Sequence, residues 1–147
     1  MALTGLSVIG TTEFQSKRDP SYGTDKATVF ELGTLDIFIT SWLTDRAMVF
    51  GQREDGNNDV MFRTKEANLD AVRFGLKGIR NFVDRMGSEI KFRTIKRNVG
   101  GITYQVVADD VLRYFDLDTI EELATELRRL NTVTQAEAKN SEPALSP

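Results

Sequence analysis

The sequence predicts a small α+β domain, helix-rich, with short antiparallel hairpins and flexible termini. Three observations lead there. Apolar residues recur at helical spacing over 35–43, 64–86 and 120–130. Two pairs of short, β-branched or aromatic runs flank strong turn signals, Asp55-Gly56-Asn57 and Asn98-Val99-Gly100-Gly101. The 147 residues, 40% apolar and 28% charged, match ordinary globular composition and suffice for one core without covalent staples.

Taken in order, residues 1–27 lack sustained periodicity, and Lys17-Arg18-Asp19-Pro20-Ser21-Tyr22-Gly23 is rich in charge and turn formers. They read as an extended N-terminal arm. The first ten residues have no charged start and no long apolar run, so no secretory signal is expected. No stretch approaches the roughly 20 apolar residues of a membrane helix, and a membrane partner is not expected. The globular part is expected over 28–131. Thr28-Val29-Phe30-Glu31-Leu32 alternates as a short strand that Gly33 ends. Thr34 is placed to cap a helix whose stripe is Leu35, Phe38, Ile39, Trp42 and Leu43. Trp42 on that stripe reads as a core residue rather than a ligand-stacking one. Strands are expected at 47–50 and 60–63, joined by a turn whose Asp-Gly and Asn residues supply positive φ.

The segment Thr64–Met86 is the strongest helical pattern, with Leu69, Val72, Leu76, Ile79, Val83 and Met86 on one side and Arg73, Lys77, Arg80 and Asp84 on the other. Gly75 and Gly78 each cost about 1 kcal/mol in a helix interior. The pair signals a close approach of another backbone or a break in the helix. Strands at 89–94 and 102–107 form a second hairpin. Asp118 and Glu121 have capping-box spacing ahead of Ile120, Leu123, Ala124, Leu127 and Leu130. Over 132–147, Thr134 and Glu137 suggest one more short helix, and the two prolines of Ser141–Pro147 suggest a disordered tail.

The chain has no cysteine and no histidine. Disulfides, zinc–thiolate sites, cysteine nucleophiles and the Ser-His-Asp triad are excluded, along with the usual general base. No catalytic residue and no cofactor is assigned. Asp55, Asn57, Asp59 and Glu66 fall at calcium-loop positions, but Val60 stands where the loop needs glycine, and a solvated hairpin loop fits better. Gly100-Gly101 precedes a strand rather than a helix, so it reads as a turn and not a phosphate cradle. Asp109, Asp110, Asp116 and Asp118 read as helix-start carboxylates rather than a magnesium cluster.

Charge is uneven. Residues 73–97 carry 8 basic and 2 acidic side chains, and 98–126 carry 1 basic and 7 acidic. The blocks either neutralise each other or offer a docking surface. Lys91 and Arg93, near Phe92, and Lys96-Arg97 could meet a nucleic acid strand. Alternation turns Phe92 away from the bases, though, and the net charge of −3 argues against a nucleic acid partner.

The order of features is more telling. The arm leads into Thr28-Val29-Phe30-Glu31-Leu32-Gly33-Thr34-Leu35-Asp36; then come Val72-Arg73-Phe74-Gly75-Leu76-Lys77-Gly78-Ile79-Arg80-Asn81-Phe82, Asp84, Gly87 and Phe92. An acidic segment, Ile120 to Leu127, and Leu130-Asn131 follow, and Gln135 to Ser141 closes the pattern. In outline this resembles proteins of tailed-phage morphogenesis, most of all the tail assembly chaperone group. It has Gly78-Ile79 where Gly-Trp is common there. The resemblance implies a non-enzymatic role in the host cytoplasm, binding the tape measure protein and tail tube subunits, with a homo-oligomer possible. A structural virion component, such as a head–tail adaptor, is the alternative. The implied contact surface is Arg73, Lys77, Arg80, Lys91 and Arg93 with Glu121 and Glu122 of the closing helix. It also implies a gene able to slip by −1, and Ala138-Lys139-Asn140 permits the slippery heptamer.

Overall fold

The computed structural model describes residues 2–3, 5, 10–52, 58–62 and 64–132. Among these, α2 (Thr64–Gly75) is the centre of the α+β fold. Helix α4 (Leu117–Leu130) packs along it, and α1 (Ile37–Ala47) covers another side. Three antiparallel sheets among the described residues surround the helices. β1 (Thr12–Phe14), β2 (Val29–Leu32) and β5 (Leu76–Arg80) form one, in the order β1-β2-β5. The hairpins β3–β4 (Met48–Gln52, Asn58–Phe62) and β6–β7 (Thr94–Val99, Ile102–Val107) form the others, and a short α3 (Asp109–Leu112) leads towards α4. The core joins Phe30, Leu32 and Leu35 to Ile39, Leu43, Val72, Phe74, Leu76, Val106, Val107, Leu123 and Leu127.

The long helix expected to Met86 stops at Gly75. Leu76–Arg80 is instead a strand, with Phe30 opposite Ile79 and Glu31 opposite Gly78. Lys77 is the extra residue of a bulge between the Glu31 and Leu32 pairings, and Gly33 N–H donates to Gly75 O at 2.8 Å. Of the two meanings the glycine pair allowed, the break is the one realised. Two glycines in four residues weaken the helix, and β2 supplies the hydrogen bonds a strand needs. A close approach exists too, but to a side chain: a Cβ on Gly75 would lie 2.5 Å from Leu127 Cδ2.

Other boundaries shift for local reasons. Asp36, not Thr34, caps α1, its carboxylate accepting from Ile39 N–H at 2.8 Å. Ile39 and Leu43 are buried as expected, but Phe38 is 65% exposed. The first hairpin forms as expected; its turn residues Glu54, Asp55, Gly56 and Asn57 lie outside the described residues. The second begins at Thr94 rather than Glu89. Gly100 and Gly101, both at positive φ (59° and 85°), make a two-residue loop, which places Val99 opposite Ile102 and draws Asn98 and Val99 into the strand. Asp116 caps α4 by accepting from Thr119 N–H at 2.7 Å, so Asp118 sits in the first turn. The arm contributes β1 and then folds back. Asp19 accepts from the N–H groups of Ser21 and Thr28, and Asn81, at φ 59°, donates to Asp25 O and Ala27 O. The short helix expected at Thr134–Glu137 and the tail from Ser141 lie outside the described residues.

Candidate interaction surface

Most of the residues expected to form one contact surface are held in separate local pairings. Arg73 lies in the last turn of α2, and its guanidinium bonds the carboxylate of Asp109 and lies 3.7 Å from Asp70. Arg93 bonds Asp110 at 2.8 Å, which holds that exposed carboxyl below its ordinary pKa. Arg80, on β5, reaches across β2 to Glu13 at 2.9 Å. The basic segment thus meets the acidic one through Arg73 and Arg93. Lys77 is not on a helix face: its stem covers Gly33 and its Nζ donates to Phe74 O at 2.8 Å, close to the end of α2. Burial lowers its pKa, opposed by the charge of Asp36. Glu122 lies 3.9 Å from Arg18, leaving Lys91 and Glu121 exposed without an ion pair among the described residues.

Of the calcium-loop pattern, Asp55 and Asn57 lie outside the described residues, and Glu66 is in the first turn of α2. Asp109 and Asp110 open α3, and Asp116 and Asp118 open α4. No helix among the described residues is long and apolar enough to cross a membrane.

Two apolar surfaces stand out, and charge patterning pointed to neither. The first is a groove of about 260 Å³ between the folded-back arm and the first sheet, lined by Arg18, Thr28, Phe30, Phe82, Val83 and Thr119. Phe82 stacks on Phe115 at 5.1 Å, and both rings approach Phe30 within about 6.2 Å, so the groove has a stiff aromatic floor. At its edge the chain turns tightly. Asp84 Oδ1 accepts from the N–H groups of Met86 and Ser88, Gly87 takes φ 82°, and Val83 bridges to Glu89. This turn holds Met86 91% exposed and Val83 53% exposed. The Asp84 and Gly87 spacing is the sequence signal that could have found it, once read as a turn rather than a helix end.

The second surface is built on α1 and the β6–β7 hairpin. Trp42 packs edge-on against Phe74 at 5.5 Å, and Phe74 against Tyr104 at 5.7 Å. The guanidinium of Arg46 lies 4.4 Å from the Trp42 ring and that of Arg97 lies 5.0 Å from it. Tyr104 donates to Asp36, tying the hairpin to the cap of α1. Burial and then that bond raise the Tyr104 pKa.

Comparison with protein-family models, curated proteins and solved structures returned no match.

Proposed function

We propose that this chain is a non-enzymatic morphogenesis protein of a tailed phage, acting as a tail assembly chaperone that shields an apolar segment of the tape measure protein and recruits tail tube subunits. The observation that carries the reading is the hydrogen-bonded turn after Phe82, in which Val83 lines the phenylalanine-floored groove and Met86 stands exposed. An exposed methionine is a soft, adaptable contact, suited to a partner whose apolar side chains vary along its length. Exposed apolar side chains framed by polar ones, here Arg18, Asp19 and Thr28, are the usual form of a protein-binding patch. The order of sequence features from Thr28 to Asn131 supports the phage context, as the resemblance to tail chaperones implies.

The test is co-expression with the tape measure and tail tube proteins of a tailed phage. The chain is expected to co-purify with the tape measure protein and to keep it from aggregating, and Met86→Asp is expected to abolish this while leaving the circular dichroism spectrum unchanged. Met86→Asp without effect would remove this surface from the reading. Peptide mass spectrometry of the native gene product is expected to find a longer form diverging at Lys139-Asn140. Recovery of the chain in purified particles would favour the virion-component alternative instead.

A further inference from the structure

A pocket of about 190 Å³ opens between α1 and α2, on residues apart from both apolar surfaces. Leu43 and Ala47 on α1, and Ala67 and Ala71 on α2, are each four residues apart and so share a helix face. Where the two helices pack, the three alanines leave space that larger side chains would fill. Leu43 and Ala71 are buried, so the walls are apolar. A cavity of about 150 Å³ holds a benzene ring, and this one has room for one branched or aromatic side chain. Sites for drug-sized molecules begin at about 300 Å³. The space therefore matches a single side chain rather than a long acyl chain or a whole cofactor.

Its polar groups are few. Arg128 of α4 lines the pocket, and its guanidinium is oriented by Nη2 donating to Oδ1 of the buried Asn68 at 2.6 Å. That bond uses one of five N–H donors on a neutral amide. No carboxylate among the described residues pairs with Arg128. Thr40 and Thr44 line the exposed edge. Their hydroxyls donate to Leu35 O at 3.3 Å and to Thr40 O at 2.8 Å, which leaves oxygen lone pairs to accept from a ligand. The complement of this site is a small unit that joins an apolar group, a carboxylate and an N–H.

We propose that this pocket captures the C-terminal residue of a partner polypeptide, leucine- or phenylalanine-sized, with its side chain between α1 and α2 and its carboxylate on Arg128. A C-terminal residue carries all three groups: side chain, α-carboxylate and amide N–H. A free aliphatic acid lacks the N–H. The guanidinium can meet both carboxylate oxygens at once, in a charge-assisted pair. The pocket shares no residue with the Phe82 groove, so the proposal stands apart from the tape measure reading.

Fluorescence polarisation of a labelled Gly-Ser-Gly-Ser-Leu peptide tests it on the purified chain, and methyl NMR shifts of Leu43, Ala47, Ala67 and Ala71 locate the contact. The free-acid peptide is expected to bind saturably and to move those methyl signals. Its C-terminal amide, and the acid peptide ending in serine, are each expected to bind about tenfold or more weakly, for the loss of one charge-assisted bond or one buried side chain. Arg128→Gln should bind acid and amide alike. Ala67→Leu fills the pocket from α2 and should abolish binding of the leucine peptide with Arg128 still in place. Should Arg128→Gln disturb α4, the comparison of acid with amide on the wild type still decides. No saturable binding of the free-acid peptide, equal affinity for acid and amide, or isocaproate binding as tightly as the peptide would each overturn the proposal.

Discussion

Gly75→Ala separates the observed helix break from a helix running on to Met86, because the two predict opposite signs. In a continuous helix, alanine would replace glycine at an interior position and stabilise the protein by about 1 kcal/mol. In the structure a Cβ at position 75 would stand 2.5 Å from Leu127 Cδ2 and 2.8 Å from Cδ1. Carbon atoms rest about 3.5–4.0 Å apart, so one side must give by about 1 Å. Leu127 has no exposed surface and sits among Val72, Leu76, Leu123 and Ala124 in the core. It has little room to rotate away. Overpacking of this kind costs about 1–3 kcal/mol. For a chain of this size, about 2 kcal/mol lowers the thermal midpoint by about 4–8 °C. Urea unfolding followed by Trp42 fluorescence measures it directly. Gly78→Ala is the control, since its new Cβ meets the carboxylate end of the Glu31 side chain, which can swing aside, and its cost should be the smaller. A stabilised Gly75→Ala protein would refute the turn into β5 at this position.

Three further outcomes follow from the geometry. Asp116→Ala should cost about 1 kcal/mol at neutral pH by uncapping α4, whereas Asp116→Asn should retain most of the cap. The bond with Thr119 holds the Asp116 carboxyl below its ordinary value of 3.8, so its stabilisation is present above that value and fades as pH falls through the lower folded-state value; thermal melts of wild type and Asp116→Ala should converge in acid. In the β6–β7 loop, Gly100→Asn should be nearly neutral and Gly101→Ala should lose about 1 kcal/mol in chemical unfolding, because asparagine tolerates the left-handed region and alanine does not. Asn81→Ala removes two hydrogen bonds to the arm and a residue suited to φ 59°, for about 2–3 kcal/mol locally. Limited trypsin digestion at Lys17, Arg18 and Lys26 should accelerate.

Much of the fold was legible because local chemistry and tertiary need agreed. Leu123 and Leu127 of α4 repeat at helical spacing and are fully buried, and Gly100-Gly101 marks a hairpin that forms. The reading failed where one pattern served two periods. Leu76 and Ile79 fit a helical stripe, yet the same residues pair across from Leu32 and Phe30 in a sheet, and only the presence of β2 decides between them. The basic face drawn on that helix vanished with it. What remained illegible was the pairing of charges. Asp109 and Asp110 lie more than ten residues from Arg73 and Arg93 and meet them only once β7 has returned to α2. The apolar surfaces at Met86 and Phe38 were hidden for the opposite reason: both residues looked like members of a buried stripe.

The first sheet also sets the order in which the molecule can assemble. Leu32 and Leu76 are partners in register yet 44 residues apart. The hairpins β3–β4 and β6–β7 close over short loops, on a scale of about microseconds. The β2–β5 pair must close a far longer loop and wait for its partner to leave the ribosome. α4 comes later still, and until it arrives Val72 and Leu76 lack the cover of Leu123 and Leu127. Folding speed in this protein is therefore governed by the sheet that ends α2 and by its closing helix, while the local hairpins set little of it.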